Sequence, residues 1–142
     1  MRVRVIGVGT RNGADGAGLD VLELLSTRAL PGGVTLAACE RPLPDLLDSL
    51  AGAEAAVIVD AARGVGPGGG ARRLACEELA RPAATSSHGF GVAQTLALAA
   101  ALGRAPRRVE VVAIEAGRAG ALDAGAALVL DLVRALASEA EG

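Results

Sequence analysis

Hydrophobic and polar positions along this chain fall into blocks whose periods predict its elements. Val3, Val5, Ile6 and Val8 crowd residues 2–8 densely enough for a strand covered on both faces. Over residues 17–30 the spacing becomes helical. Asp20, Glu23 and Thr27 recur on one side and Leu22, Leu25 and Ala29 on another, an amphipathic helix stopped by Pro31-Gly32-Gly33. Val34–Cys39 reads as a second strand. Pro42-Leu43-Pro44-Asp45 then opens a short helix that runs to about Leu50, since proline is tolerated in a first turn. Ala55-Ala56-Val57-Ile58-Val59-Asp60 is a buried strand ending on a carboxylate, and the glycine-rich Arg63–Gly70 stretch is a loop. Residues 71–76 predict a short edge strand. Thr85-Ser86-Ser87-His88 caps a helix over 89–102 that is almost wholly apolar, so burial is the expectation, and Gly103 and Pro106 end it. Val109–Ile114 is the last strand. Over 121–138, Leu128, Val129, Leu132, Val133 and Leu136 form the apolar stripe of a final helix, with Asp131 and Arg134 outside it.

Strands that alternate with helices build a mainly parallel sheet covered on both faces. The expectation is one α/β domain over residues 1–142. It is a three-layer α/β/α sandwich around a five-stranded, mostly parallel, twisted sheet, with an antiparallel strand allowed at one edge. Ligands in such folds bind beyond the carboxyl ends of the strands. Residues that carry chemistry therefore belong in the loops there.

Composition narrows the functions that such a fold can serve. The chain is 51% hydrophobic and 21% charged, a globular balance. Phe90 is its single aromatic, so aromatic platforms for stacking bases are missing, and a net charge of −2 gives no electrostatic footprint for nucleic acid. All 14 basic residues are arginine, which removes lysine chemistry altogether. No apolar run approaches a membrane span, and Met1 leads directly into a strand, leaving no room for a secretory signal. Cys39 and Cys76 are neither a metal-spaced pair nor a disulfide framework, so a reducing cytoplasm is expected.

Three side chains fall at the carboxyl ends of the predicted strands. Asp15 lies in the glycine-rich turn after the first, Asp60 ends the third, and His88 opens a helix. Two carboxylates and an imidazole suit a borderline divalent metal, and three protein ligands leave positions open for a substrate. Each residue also has a structural explanation as a turn or helix-cap residue. A nucleotide-binding module is an alternative, with Gly7-Val8-Gly9 after a strand and Glu40 at the end of the next. Against it, Asn12 stands where the third glycine of that fingerprint belongs. No Ser/His or Cys/His nucleophile pair is apparent. Cys39 would need a histidine that is not spare, because His88 is the only one.

The order and spacing of three motifs resemble one known family over nearly the whole chain. They are Val5-Ile6-Gly7-Val8-Gly9 with Asp15-Gly16-Ala17-Gly18; Val57-Ile58-Val59-Asp60-Ala61-Ala62 followed by Pro67-Gly68; and Ser87-His88 opening an apolar helix, with Gly103, Pro106 and a valine-rich strand after it. The chain is similar to the endopeptidases that mature nickel–iron hydrogenases.

The resemblance implies that Asp15, Asp60 and His88 are the metal-binding positions, with Asp15 and Asp60 also catalytic. It implies a nickel ion supplied by the substrate, the hydrogenase large-subunit precursor, from which a C-terminal extension is removed. The chain departs from the family pattern at Thr10, Ala14 and Cys39-Glu40-Arg41-Pro42. The metal set is thus intact while the substrate-facing loops differ. That keeps open a non-catalytic scaffold that binds metal or a partner.

Overall fold

The computed structural model describes residues 2–9, 16–62, 65, 69–75 and 87–141. The chain runs as strand β1 (Val3–Val8), helix α1 (Ala17–Ser26), strand β2 (Val34–Cys39), a wide π-helical turn Pro42–Leu46 leading into α2 (Leu47–Leu50), and strands β3 (Ala55–Ala62) and β4 (Ala71–Leu74). Helix α3 (Ser87–Ala101), strand β5 (Arg108–Glu115) and helix α4 (Ala121–Glu141) complete it. The strand order is β2-β1-β3-β5-β4. All neighbours pair in parallel except β4, which runs antiparallel to β5 from Ala71 opposite Ile114 to Leu74 opposite Val111. The expected α/β architecture with an antiparallel edge strand is what the chain adopts.

Alternation along the strands divides the core into two layers. Val3, Val5, Val57, Val59, Val112 and Ile114 face α1 and α4, where they meet Val21, Leu25, Val129 and Val133. Ile6, Val8, Ile58, Val111 and Ala113 face the opposite way, toward Leu46 of the π-helical turn, Leu50 of α2, and Val92 and Ala99 of α3. All eight residues of β3 are buried, as a central parallel strand requires.

Several elements differ from their sequence-based expectation, and four of the differences bear on the layout of the fold. Helix α1 stops at Ser26 rather than near residue 30. The Ser26 hydroxyl donates to the Glu23 carbonyl (2.6 Å) and the Thr27 hydroxyl to the Leu24 carbonyl (2.8 Å), so side chains take up carbonyls at the helix end. Strand β3 continues two residues past Asp60, because Ala61 and Ala62 still pair with Ile114 and Glu115. Strand β4 is shorter than the predicted 71–76.

Helix α3 is the larger correction. Despite its apolar sequence it is not buried on all sides. Val92, Thr95 and Ala99 form one buried stripe, whereas Leu98 is 39% exposed and Leu102, just beyond the helix, 50%. An outer-layer helix has a sheet on one side only, so position rather than composition decides its burial. Its end follows expectation. Gly103 takes φ +70°, while Gly103 N–H reaches the Ala100 carbonyl (3.1 Å) and Arg104 N–H the Ala99 carbonyl (2.8 Å), the paired bonds of a glycine-closed helix.

Candidate active site at the carboxyl edge of the sheet

The carboxyl edge is shaped by how closely α1 approaches it. A side chain at Gly18 would collide with the Val59 carbonyl and come within 2.7 Å of the Val8 carbonyl. A side chain at Gly7 would strike Leu22 and the Gly18 carbonyl. Glycine at both positions seats the first turn of α1 directly on the ends of β1 and β3. Gly9, which follows β1, and Gly16, which precedes α1, therefore both lie at this edge.

Asp60 stands at that point. It pairs in register with Val8 of β1 and Ala113 of β5, so it occupies the centre of the sheet edge. By strand alternation it shares the face of Ile58 and Ala62, the face covered by α2 and α3. The residue is 2% exposed, among the few buried polar residues described. The Ala61 N–H donates to its Oδ1 at 2.9 Å, which fixes the orientation of the carboxylate.

His88 lies in the first turn of α3, the helix that covers this same face, though its side chain is not among those described. Asp15 falls outside the described residues. The backbone thus brings Asp60 and the start of the His88 helix to one side of the sheet. Among the described residues alone, no group of three metal-ligating side chains comes together.

Cys39 ends β2 as a buried residue, with Sγ 3.3 Å from the Ser49 hydroxyl. Burial pushes its thiol above the ordinary value; the Ser49 hydrogen bond opposes this in part, and the carboxylates of Asp45 and Asp48 add smaller upward pushes. A thiol held protonated in this way is a poor nucleophile. Cys76 lies outside the described residues.

Sequence reasoning missed a third carboxylate at this edge. Glu115, the last residue of β5, accepts the Val65 N–H at 2.8 Å, while Arg72 Nε donates to the Val65 carbonyl at 3.3 Å. Arg118 stands 3.6 Å from the other Glu115 oxygen. Val65, in the loop that follows Asp60, is thereby held by both of its main-chain groups. The one available signal was a glutamate directly after the apolar run of β5.

Two clefts flank α1 on the opposite face of the sheet. One of about 280 Å³ lies between Ala17 and Asp20 of α1 and the β5–α4 connection at Glu115–Arg118. A larger one of about 500 Å³ lies between α1 and β2. Neither is lined by Asp60.

Comparison with known proteins bears on what this edge does. The family model for hydrogenase maturation proteases (HycI) matches residues 29–133, a span that begins beyond Asp15 and includes Asp60 and His88. No curated protein sequence matches the chain significantly. Among solved structures, the hydrogenase maturating endopeptidase HybD from E. coli superposes with a TM-score of 0.72 at 23% identity, over 99% of this chain and 94% of that one. The [NiFe] hydrogenase maturation protease HybD from Thermococcus kodakarensis gives 0.67 at 22% identity, over 96% and 99%. The hydrogenase 2 maturation peptidase from Thaumarchaeota archaeon SCGC_AB-539-E09 gives 0.56 at 26% identity, over 96% and 99%. These matches do not favour a dinucleotide site, in which exposed Glu40 would have bound a ribose, or a non-catalytic scaffold. Since the family match spans well over half of the chain and the fold agrees over nearly all of it, the chain belongs to the hydrogenase maturation protease family, whose members are endopeptidases.

Proposed function

We propose that this endopeptidase removes the C-terminal extension of a nickel–iron hydrogenase large-subunit precursor, and that nickel already seated in the precursor is its recognition signal. Residues 1–142 act as one domain, in the cytoplasm. The observation that carries the reading is Asp60, a buried carboxylate at the centre of the carboxyl edge, on the face covered by the helix that His88 opens.

The residues suit nickel by their chemistry. Asp15 and Asp60 offer anionic oxygens and His88 an imidazole, a mixed set fitted to a borderline divalent ion. The ion arrives with the substrate, and when bound it polarises the scissile carbonyl. The chain's own part is to hold that ion through Asp15, Asp60 and His88. A carboxylate of Asp15 or Asp60 also takes the proton from the attacking water. The Ala61 N–H keeps Asp60 in one orientation, and Glu115 with Arg72 fixes the loop beyond it at Val65. No step requires Cys39.

The test is incubation with large-subunit precursor prepared with and without nickel, followed by intact-mass spectrometry. Loss of the C-terminal peptide from the loaded precursor alone is the expected result. Equal cleavage of both forms removes nickel from recognition, and cleavage of neither removes the precursor as substrate.

A further inference from the structure

Strand β2 forms one end of the sheet, and the strand itself carries none of the usual guard residues. Val34–Cys39 contains no charged residue, no proline and no glycine, whereas edge strands are ordinarily blunted by such residues. The hydrogen-bond register shows which main-chain groups point outward. Gly33 and Cys39 carbonyls accept from Val3 and Gly9 of β1, so residues of that parity face inward. By the two-residue period of a strand, the N–H and C=O of Leu36 and Ala38 face away from the sheet.

Directly beside this edge lies the cleft of about 500 Å³ between α1 and β2. Its floor is apolar, from Leu19, Leu22, Leu36 and Ala38, and its rim carries the carboxylates of Asp20 and Glu23, with no basic residue lining it among the described residues. Both acids are exposed on α1.

We propose that the β2 edge and the adjoining cleft dock an extended segment of the substrate protein as a sixth strand. Main-chain bonds to Leu36 and Ala38 hold the segment. Its alternate side chains are apolar and enter the cleft, and a lysine or arginine beside them meets Asp20 and Glu23. A second copy of this chain is a poorer occupant, because its own β2 would bring no cation to the acidic rim.

The edge also leads to the site. Cys39 and Asp60 both flank Val8 in register, so β2 ends level with Asp60. A strand added outside β2 lies three strand spacings from β3, about 14 Å, which about four or five extended residues cross. The docked segment is therefore one that flanks the cleaved bond at that distance. This inference rests on the proposed processing of a precursor protein.

Hydrogen exchange followed by NMR tests it, with two probes. One is the nickel-loaded precursor and the other an octapeptide alternating valine and lysine. Both are expected to slow exchange at the Leu36 and Ala38 amides. Asp20→Lys combined with Glu23→Lys, and separately Ala38→Arg, should each weaken octapeptide binding by about tenfold, the combined worth of one or two exposed charge contacts. Circular dichroism reports whether these variants fold. Protection by the octapeptide without any cleavage of the precursor would leave docking intact and sink the processing reaction. Cleavage with both amides unprotected would do the reverse. Protection by neither probe, or protection arising from self-association alone, overturns the docking edge.

Discussion

A carboxylate withdrawn from water is costly unless its surroundings compensate it, and Asp60 keeps one at 2% exposure on the central strand. Asparagine preserves its shape and an acceptor for the Ala61 N–H but removes the charge. Asp60→Asn is therefore expected to fold and to melt no lower than the parent. Nickel binding, read by calorimetry, should weaken, and cleavage of loaded precursor should fall by about a hundredfold or more. His88→Asn makes the complementary case, because His88 lies in the first turn of α3 and asparagine removes the imidazole at little cost to the helix. Its stability should stay within about 1 kcal/mol of the parent, since the two residues differ little in helix propensity, while cleavage is lost; a variant that still cleaves would remove His88 from the mechanism. Cys39 gives the pH dependence. Its raised thiol stays protonated in the fold after the same thiol in the unfolded chain has begun to ionise, near the ordinary value of 9.0. The stability contributed by this group is thus whole below that value and declines as pH rises beyond it, by at most about 1.4 kcal/mol per pH unit. Cys39→Ser should flatten this alkaline decline in a urea titration and leave precursor cleavage intact.

At the scale of elements, the closeness of α1 to the sheet is the feature most easily broken. Gly18→Ala places a methyl group against the Val8 and Val59 carbonyls, and backbone cannot rotate aside as a side chain would. The expected cost is about 1–3 kcal/mol, the range for overpacking, together with reduced cleavage, because Asp15 stands only three residues before Gly18 in the chain. Helix α3 should show the opposite tolerance. Leu98→Gln or Leu102→Gln is expected to change the unfolding free energy by less than about 0.5 kcal/mol, and Ala99→Leu, on the buried stripe, to cost about 1–3 kcal/mol. These elements also mark what sequence can convey. The dense valines of β1 and β3 announce strands buried on both faces, and Pro31-Gly32-Gly33 and Gly103 announce ends, because those signals are local. The half-exposure of α3 is not legible, since a run of alanine and leucine looks the same on either side of a helix. The direction of β4 and the hold of Glu115 on Val65 are set by pairing across 37 to 50 residues, which no period in the chain records. Asp60 could be singled out from its place at a strand end. The predicted topology put Asp15 and His88 at the same edge, but preferring a metal set over turn and cap roles needed the family resemblance, because the three share no short-range spacing.

For the molecule as a whole, the strand order sets a gradient of stability. Strand β3 is paired on both sides and covered on both faces, so Ile58→Ala should cost about 2–5 kcal/mol. Native-state hydrogen exchange should be slowest in β3 and faster in β2 and β4. The two ends of the sheet are not equivalent. Strand β4 spans only Ala71–Leu74, carries Arg72 and Arg73, and ties Arg73 to Glu110 at 2.7 Å. It is a guarded edge. A stack of sheets propagates only if every unit has two ends that accept a strand, as a chain reaction needs two reactive groups per monomer. With one receptive end, addition terminates after a single event. This protein can therefore offer bare main chain to a partner without becoming the repeat unit of a fibre, and concentrated samples should scatter light as small species rather than as growing filaments.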